Sequence, residues 1–378
     1  MTTTRPLAGL KVLEIGHSIA APYAGMILGE LGADVVKMEN PGHGDYARGW
    51  GPPFSRGSAT IFQAVNRAKR GITTDLKNDT QRARLRRLII DEMDVVMHNL
   101  KPGTPERLGL GAEGLLAEKP SLIYCNLGAF GATGPLASHP GYDPLMQAFG
   151  GLMSMLGEEG RPPVRVIASI MDLGTGMWTV IGILAAIVER ARTGQGGLID
   201  TSLFETSCGW MGIPLADFLA SGQLPKRTGS GVGMIVPYQV FATSDGYLMV
   251  AAGNDSLFQR LCAALSRPDL AADPRFTRNA DRVTNRPALI GALAETLAAQ
   301  PAAHWMAALQ AVGVPCGPVQ TLDQVASHPQ TTALGILQTA PDASMRTIGL
   351  PLSFNGKRPQ WERAAPGLGE HNEEVLGK

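Results

Sequence analysis

Two short apolar runs separated by a helical segment open the chain, and this spacing constrains the fold more than any other feature. Residues 11–15 (KVLEI) are typical of a buried strand, and residues 34–38 (DVVKM) are typical of the next one. Between them, residues 22–31 have helical spacing, with Pro22 in the first turn and Gly32 just past the end. Strand, helix and strand in this order predict a β-α-β unit, which implies a parallel sheet.

The same alternation continues along the first 220 residues and predicts an α/β protein. Residues 40–57 are rich in Gly and Pro and predict an ordered loop over the sheet. We expect further strands at residues 72–76, 94–98, 122–127 and 198–203, and helices at residues 79–92, 143–156, 175–192 and about 205–220.

A change in composition at residues 221–233 predicts a boundary. This Gly-rich segment is typical of a linker or of an active-site loop. Two strand patterns follow, at residues 238–243 and 247–252, and the turn Ser244-Asp245-Gly246 between them is a hairpin signal. Helical patterns then continue to about residue 311, so a smaller α+β domain is expected here.

Charge and short motifs exclude several classes of protein. Lys+Arg and Asp+Glu both number 33, so the charge balance favours neither nucleic acid nor an anionic membrane as a partner. Residues 177–188 form the longest apolar run, which is too short to span a bilayer, and residues 1–6 lack the apolar region of a signal peptide. We therefore expect a cytoplasmic protein. The sequence lacks phosphate-loop, dinucleotide, nucleophile-elbow and metal-ligand spacings, so no metal is expected.

The segment around Asp172 is the best candidate for chemistry. A strand-like apolar run reaches Asp172, and Leu173-Gly174-Thr175-Gly176 then leads into a long apolar helix. An acid just before a helix N-terminus is favoured in its ionised form, which a carboxylate nucleophile requires, and nearby glycines let a substrate approach the backbone. An aspartate at this position also caps a helix, and spacing alone favours the cap.

A series of short motifs runs in order through nearly the whole chain. They are LAGLKVLE (7–14), GADVVK (32–37), PGHGD (41–45), NRAKRG (66–71), DVVMHNLKPG (94–103), GYD (141–143), GVPCGPV (313–319) and LGEH (368–371). With these motifs the sequence resembles the class III CoA-transferase family, which includes formyl-CoA transferase and carnitine CoA-transferase, with α-methylacyl-CoA racemases as relatives.

The resemblance implies that Asp172 is the catalytic aspartate and that coenzyme A, as free CoA and acyl-CoA, is the substrate, with no tightly bound cofactor. CoA would lie along the carboxyl ends of the first strands. By position, the CoA- or substrate-binding residues would be His17, Ala20, Asn40, Thr74, Lys77, Asn99, Leu100, Arg107, Tyr142 and Asp143.

Lys77 and Arg107 suit phosphate groups because both are cations, although solvated surface charge is the alternative interpretation. Asn40 stands where several family members carry an arginine that contacts the nucleotide end of CoA. That end must therefore be held more weakly or by another cation, for which Arg48 and Lys69 are candidates.

The Gly141-Tyr142-Asp143 turn bears on the choice between a transferase and a racemase. Racemisation needs an acid and a base on opposite faces of the α-carbon, and the racemase branch places a histidine before this aspartate. Tyrosine is a poor base for an α-proton, so Tyr142 favours transfer of CoA from a donor acyl-CoA to an acceptor carboxylic acid. A 2-methylacyl-CoA racemase and a non-catalytic CoA-binding protein remain alternatives. The Tyr142-Asp143 pair is equally compatible with a helix start that Asp143 caps.

The resemblance also implies an architecture. We expect a Rossmann-like large domain of residues 1–220, completed by about 331–378, a small domain of residues 221–330 with connecting linkers, and an interlocked homodimer. Gly229, Gly231 and Gly233 fall where formyl-CoA transferase has a glycine loop that covers the reactive intermediate, and an ordinary linker is equally compatible. Backbone N–H groups at residues 174–176 are expected to stabilise the oxyanion.

Overall fold

The computed structural model describes residues 5–377, which divide into two compact units. The first unit contains residues 5–152, 166–212 and 329–377, and the second contains residues 153–165 and 213–328. Residues 153–165 and 213–220 therefore belong with the second unit, although the expected large domain includes all of residues 1–220.

The strands are numbered in chain order. They are β1 (Lys11–Ile15), β2 (Asp34–Glu39), β3 (Phe54–Ser55), β4 (Ser58–Ala59), β5 (Lys69–Thr73), β6 (Val95–His98), β7 (Ile123–Gly128), β8 (Gly197–Ser202), β9 (Tyr238–Thr243), β10 (Gly246–Ala251), β11 (Cys316–Pro318), β12 (Leu337–Thr339) and β13 (Arg346–Ile348).

The helices follow the same convention. They are α1 (Ala20–Glu30), α2 (Thr60–Asn66), α3 (Asp79–Glu92), α4 (Thr104–Arg107), α5 (Ala112–Glu118), α6 (Asp143–Phe149), α7 (Leu152–Met155), α8 (Ile170–Thr193), α9 (Leu203–Trp210), α10 (Gly212–Ser221), α11 (Asp255–Ala264), α12 (Pro268–Ala272), α13 (Asn279–Thr284), α14 (Arg286–Leu297), α15 (Ala302–Ala311), α16 (Leu322–Ser327), α17 (Pro329–Leu334) and α18 (Asn372–Leu376).

The core of the first unit is a six-stranded sheet in which all neighbouring strands are parallel, in the order β5-β2-β1-β6-β7-β8. The predicted parallel α/β sheet is therefore confirmed. The strand order reverses between β1 and β6, because β2 and β5 extend to one side of β1 and β6, β7 and β8 extend to the other. In open α/β sheets, ligands bind outside the carboxyl ends of the strands at this reversal.

Helices cover both faces of this sheet because successive strand residues point to opposite sides. On one face, Val12 of β1 and Val95 of β6 lie in a core with α1 and α8. On the other face, Leu13 of β1 and Val96 of β6 lie in a core with α3 and α5. Burial on both faces explains why these strands are continuous apolar runs rather than alternating ones.

The 24-residue helix α8 is long and apolar enough, by length and composition, to cross a membrane. In this structure it packs along α1, β7 and β8, with Val180 and Ile183 in the core. The helix predicted at residues 175–192 therefore begins five residues earlier, and the apolar run of residues 177–188 covers only part of it.

The second unit contains a three-stranded antiparallel sheet in the order β11-β10-β9. Gly246 pairs with Thr243, so the predicted hairpin is present and its loop is Ser244-Asp245. Phe258, Leu289 and Leu309, from α11, α14 and α15, lie in the buried core of this unit.

Several predicted elements differ from the structure. The strand predicted at 72–76 is β5, which begins earlier because Lys69 and Arg70 pair along β2 through their backbones. The helix predicted at 143–156 is divided into α6 and α7, since Gly151 has a φ of +89° and leaves the helical region. The helix predicted at 205–220 is likewise divided into α9 and α10.

Candidate active site

A cavity of about 280 Å³ lies at the carboxyl ends of β1, β6 and β7. His17 follows β1, Asn99 and Leu100 follow β6, and Tyr142 and Asp172 complete this part of the lining. The cavity is formed by residues of the first unit alone and lies beside the reversal in strand order. Five of the predicted site residues are thus brought together at the expected edge of the sheet, and Ala20, the first residue of α1, also lines the cavity.

Asp172 is the third residue of α8, whereas the sequence predicted that it would precede the helix. Residues 164–169 form no strand, and α8 begins at Ile170. The early start is stabilised from outside the helix. The buried carboxylate of Asp143 accepts hydrogen bonds from the backbone N–H groups of Met171 (2.6 Å) and Asp172 (3.3 Å). Asp143 therefore caps α8, not its own helix α6.

The ionisation of Asp172 also differs from the expectation. Burial, together with the nearby charge of Asp143, raises the pKa of Asp172 to about 7. The helix N-terminus does not offset this, because Asp143 already occupies its free N–H groups. Within residues 5–377 the carboxyl of Asp172 has no protein hydrogen-bond donor. Asp172 lines the cavity, where its carboxyl is left available to a substrate.

This raised pKa predicts a pH-dependent stability effect. The folded protein binds the Asp172 proton more tightly than the unfolded chain, so this contribution is fully present below pH 3.8 and is lost as the pH rises through about 7. We expect Asp172→Asn to stabilise the protein by about 1–3 kcal/mol at pH 8.5 and by clearly less at pH 5. Thermal unfolding at both pH values measures this difference, and the exposed Asp91→Asn serves as control. An equal effect of Asp172→Asn at the two pH values would contradict the prediction.

The glycines after Asp172 pack against neighbouring helices. The N–H of Leu173 already donates to the Ser169 carbonyl (2.9 Å), and the next residues continue the helical hydrogen bonds. A Cβ at Gly174 would lie 2.8 Å from Thr206 and Trp210, and one at Gly176 would lie 2.8 Å from the Ala20 carbonyl oxygen. The expectation that these residues admit substrate or donate to an oxyanion is therefore wrong.

The turn after β1 is held by side chains from two other segments. Asn99 accepts a hydrogen bond from the His17 N–H (3.1 Å) and donates to the His17 carbonyl (2.8 Å). Ser18, at a φ of +70°, donates its N–H to Asp45 (2.9 Å). Burial lowers the pKa of the His17 imidazole, although the charge of Asp45 opposes this. Asn99 thus positions the turn, and its direct contact with CoA stays a prediction.

We expect Asn99→Ala to weaken CoA binding about tenfold, because it removes two hydrogen bonds that each stabilise the turn by about 1 kcal/mol. Titration calorimetry with CoA measures the affinity. Asn254→Ala is the matched control, since Asn254 also accepts a backbone N–H, at the start of α11 in the other unit. Equal affinity losses in both variants would show that Asn99 acts only through general stability.

Beneath this turn lies a network of fully buried charges. The ammonium group of Lys37 lies 3.0 Å from Glu14 and 2.9 Å from Asp45, and it donates to the Gly16 carbonyl (2.7 Å). Lys69 lies 2.7 Å from the other oxygen of Glu14. Burial lowers the pKa of Lys69 to about 8, although Glu14 opposes this. Since Asp45 also binds the Ser18 N–H, the network links the sheet to the cavity wall.

The other predicted CoA contacts lie along the same edge of the sheet. Asn40 follows β2, where its side chain accepts the Gly42 N–H (2.8 Å), and Thr74 follows β5 and is buried. Lys77 and Arg107 are exposed, and Arg107 donates to Thr104 (3.0 Å).

Both cations proposed to replace the missing arginine form ion pairs with acidic residues of the protein. Arg48 forms a two-point ion pair with Glu39 and lies 3.9 Å from the Phe62 ring centroid. Lys69 is buried with Glu14. Both side chains therefore serve the fold, and a contact of either one with the nucleotide end of CoA stays a prediction.

The glycine cluster of residues 229–233 belongs to the second unit and forms an anchored turn. The N–H of Gly231 donates to the Thr228 carbonyl (2.9 Å), and Arg286 donates to the carbonyls of Val232 (2.6 Å) and Gly233 (2.8 Å). Gly229 has a φ of +60°, which favours glycine. A covering role for Gly229, Gly231 and Gly233 stays a prediction.

Sequence reasoning missed several residues of the site. Ser18, Lys101 and His139 also line the cavity, and Lys101 lies within the 94–103 motif that suggested the family. The Gln147 side chain donates a hydrogen bond to Asp143, which lies four residues earlier on the same helix. Side chains at this spacing are neighbours on a helix, so the pair could have been predicted from the sequence. Among residues 5–377, no group of three or more His, Cys, Asp or Glu side chains is arranged to hold a metal ion.

Comparison with known proteins shows the family to which this chain belongs. A sequence model of CoA-transferase family III matches residues 7–372, so the chain belongs to that family. It is 35% identical to succinyl-CoA:glutarate CoA-transferase of Mus musculus, covering 98% of this chain and 86% of the relative. It is 38% identical to acetyl-CoA:oxalate CoA-transferase of Acetobacter aceti, covering 97% and 93%. A crystal structure of a CAIB/BAIF family protein from Brucella suis superposes with a TM-score of 0.89, at 40% identity over 99% of both chains.

These findings define an enzyme that transfers coenzyme A. The resemblance inferred from the ordered motifs is confirmed, and this chain is a family III CoA-transferase. CoA thioesters and carboxylic acids are accordingly its classes of substrate, and the racemase alternative is not favoured.

Proposed function

We propose that the enzyme transfers CoA between two carboxylic acids through covalent intermediates on Asp172. The single observation that carries this proposal is the half-buried carboxyl of Asp172, which faces the cavity without a protein hydrogen-bond donor among the described residues. A carboxylate nucleophile is more reactive when hydrogen bonds do not stabilise its charge.

In the proposed first half-reaction, an Asp172 oxygen attacks the thioester carbonyl of the donor, and the carbon–sulfur bond breaks. The products are a mixed anhydride and CoA thiolate. The thiolate then attacks the Asp172 carbonyl carbon and expels the donor acid as its carboxylate. An aspartyl-CoA thioester remains, so the energy of the original thioester is retained.

The second half-reaction reverses these steps with the acceptor. The acceptor carboxylate attacks the Asp172 carbonyl carbon and expels CoA thiolate, which forms a second anhydride. The thiolate attacks the acyl carbon of the acceptor, and the Asp172 carboxylate is restored. Bonds formed and broken balance across the cycle, so ATP hydrolysis is not required.

The acid–base groups around Asp172 suit transfer better than racemisation. Tyr142 is 59% exposed, lines the cavity and occupies the position before Asp143. Proton exchange at an α-carbon requires a second base opposite Asp172, and a phenol is weakly basic at neutral pH. Anhydride chemistry needs only the carboxylate and the thiolate.

We further propose that the acceptor is a small dicarboxylic acid and that succinyl-CoA is a donor. The names of the similar enzymes from mouse and Acetobacter include glutarate and oxalate. Lys101 lines the cavity and suits a second carboxylate by its charge, and the imidazole rings of His17 and His139 can donate hydrogen bonds to it. The predicted CoA contacts other than Asp143, whose carboxylate is buried and occupied by protein donors, belong to the same proposal, as do the homodimer with interlocked subunits and the cytoplasmic location.

A matrix of acyl-CoA donors against free acids, read by mass spectrometry of the new thioester, tests this function. The covalent step has its own test: with donor and hydroxylamine present, the protein should gain a hydroxamate at Asp172. Exchange of the α-proton of a 2-methylacyl-CoA with deuterated solvent, without any acceptor acid, would instead support a racemase.

A further inference from the structure

The contacts of Asp143 exceed what a helix cap requires. Asp143 is 3% exposed, and one carboxylate oxygen accepts the N–H groups of Met171 and Asp172. The other oxygen accepts a hydrogen bond from the Gln147 side chain (2.6 Å). A buried charge therefore lies directly behind the backbone of Asp172 itself.

Gln147 extends this arrangement to the segment that leads into α8. It is fully buried, its amide nitrogen also donates to the Val166 carbonyl (3.0 Å), and its amide oxygen accepts the Val166 N–H (2.8 Å). The first turn of α8 and the segment before it are thus held from α6 by side chains one helical turn apart.

We infer that Asp143 is a positioning residue that fixes the first turn of α8 and, by its charge, prevents the helix N-terminus from stabilising the Asp172 carboxylate. The inference rests on the proposed role of Asp172 as the nucleophile. It adds a function to Asp143 that differs from binding substrate, because the buried carboxylate is fully engaged with protein donors.

The charge of Asp143 affects the acylation of Asp172. Acylation of Asp172 converts a carboxylate beside another carboxylate into a neutral anhydride or thioester. Repulsion between Asp143 and Asp172 is relieved in both covalent intermediates, so Asp143 favours the acylated enzyme over the free carboxylate. An uncapped helix N-terminus would have the opposite effect, since it stabilises a negative charge.

Other titratable groups line the cavity or lie on elements packed against α8. Those lining the cavity are His17, Lys101, His139 and Tyr142. Those on the elements packed against α8 include Tyr23 of α1, Cys125 of β7, Asp200 of β8 and Glu205 of α9. Asp143, on α6, is the nearby charge that raises the pKa of Asp172 in addition to burial, and its carboxylate contacts the backbone of the same helical turn.

The test is a direct titration of Asp172 in protein labelled with [4-¹³C]aspartate. The Asp172 resonance is assigned by its loss in Asp172→Asn. In the wild-type protein it should titrate near pH 7. In Asp143→Asn the midpoint should fall by at least about one pH unit, a tenfold change in proton affinity. The acidic limb of the transfer rate should move in the same direction.

Asp94→Asn is the matched control. Asp94 likewise accepts a backbone N–H, from Lys11 (2.9 Å), and pairs with an arginine, but it lies at the amino end of the sheet. It should cost stability without moving the Asp172 midpoint. If Asp143→Asn does not fold, Asp143→Ser supplies a neutral helix cap.

Two outcomes would overturn the inference: an Asp172 that titrates near pH 4 in the wild type, or a midpoint unchanged in both Asp143 variants. Either outcome would show that Asp143 only caps α8 and does not affect the ionisation of Asp172. The titration needs no substrate, so it remains decisive even if no donor and acceptor pair supports transfer. Absence of transfer would overturn the proposed function alone.

Discussion

Asp172→Ala should abolish CoA transfer, with kcat reduced by about 10⁴-fold or more, while the affinity for CoA stays within a few-fold of the wild type. The physical reason is that each covalent intermediate forms on the Asp172 carboxyl, and among residues 5–377 no other acidic side chain lines the cavity. Steady-state transfer assays and titration calorimetry with CoA measure the two quantities. Retained CoA affinity would also show that the variant is folded.

Asp172→Glu is the informative companion to this variant. It keeps the carboxylate but displaces it by about one bond length, and a misplacement of about 1 Å can lower a rate by about 100-fold. We therefore expect activity between those of the alanine variant and the wild type. Substantial turnover by Asp172→Ala would exclude the covalent mechanism, because water or another residue would then have to replace its nucleophile.

Lys37→Met should destabilise the first unit by about 3–5 kcal/mol, which is the usual cost of removing one partner from a buried ion pair. The substitution leaves Glu14 and Asp45 with less compensation in a site that excludes water. Asp45 also holds the N–H of Ser18, so CoA affinity should decline with stability. Urea unfolding measures the loss in the free energy of unfolding. Hydrogen exchange of the β1 and β2 amides in the folded protein shows whether the loss lies in this unit.

Lys11→Met provides the control for the buried pair. Lys11 pairs with Glu92 at 2.8 Å, but their side chains are 42% and 48% exposed, so this pair should contribute less than about 1 kcal/mol. Lys11 and Lys37 lie on neighbouring strands of the same sheet. A loss of stability in Lys37→Met no larger than that in Lys11→Met would show that the buried network does not stabilise the first unit more than an exposed ion pair does.

Much of the fold could be predicted from local sequence patterns. β1 and α3 have the predicted bounds, because apolar runs and amphipathic spacing depend on side chains only a few residues apart. The bounds of α8 could not be predicted in this way. Its first turn forms because Asp143, 28 residues earlier in the chain, accepts the N–H of Met171.

The candidate site was predictable in its residues more than in their roles. Asp172, His17 and Tyr142 were selected by resemblance, and the structure brings them to one cavity. The roles depend on partners that spacing does not reveal. Asn99 binds the backbone of His17, 82 residues away, through both polar groups of its side chain.

The sequence by itself determined the parallel sheet, the family and the choice of Asp172, because apolar periodicity and ordered motifs are properties of the linear chain. Only the tertiary structure decided that Asp172 lies inside α8, that Asp143 lies behind it and that the glycines at 174 and 176 serve packing. The physical reason is that the ionisation of a carboxyl and the free space at a glycine depend on atoms contributed by distant segments. Asp172 therefore keeps its proposed role, but in an environment of burial and like charge rather than of a free helix N-terminus.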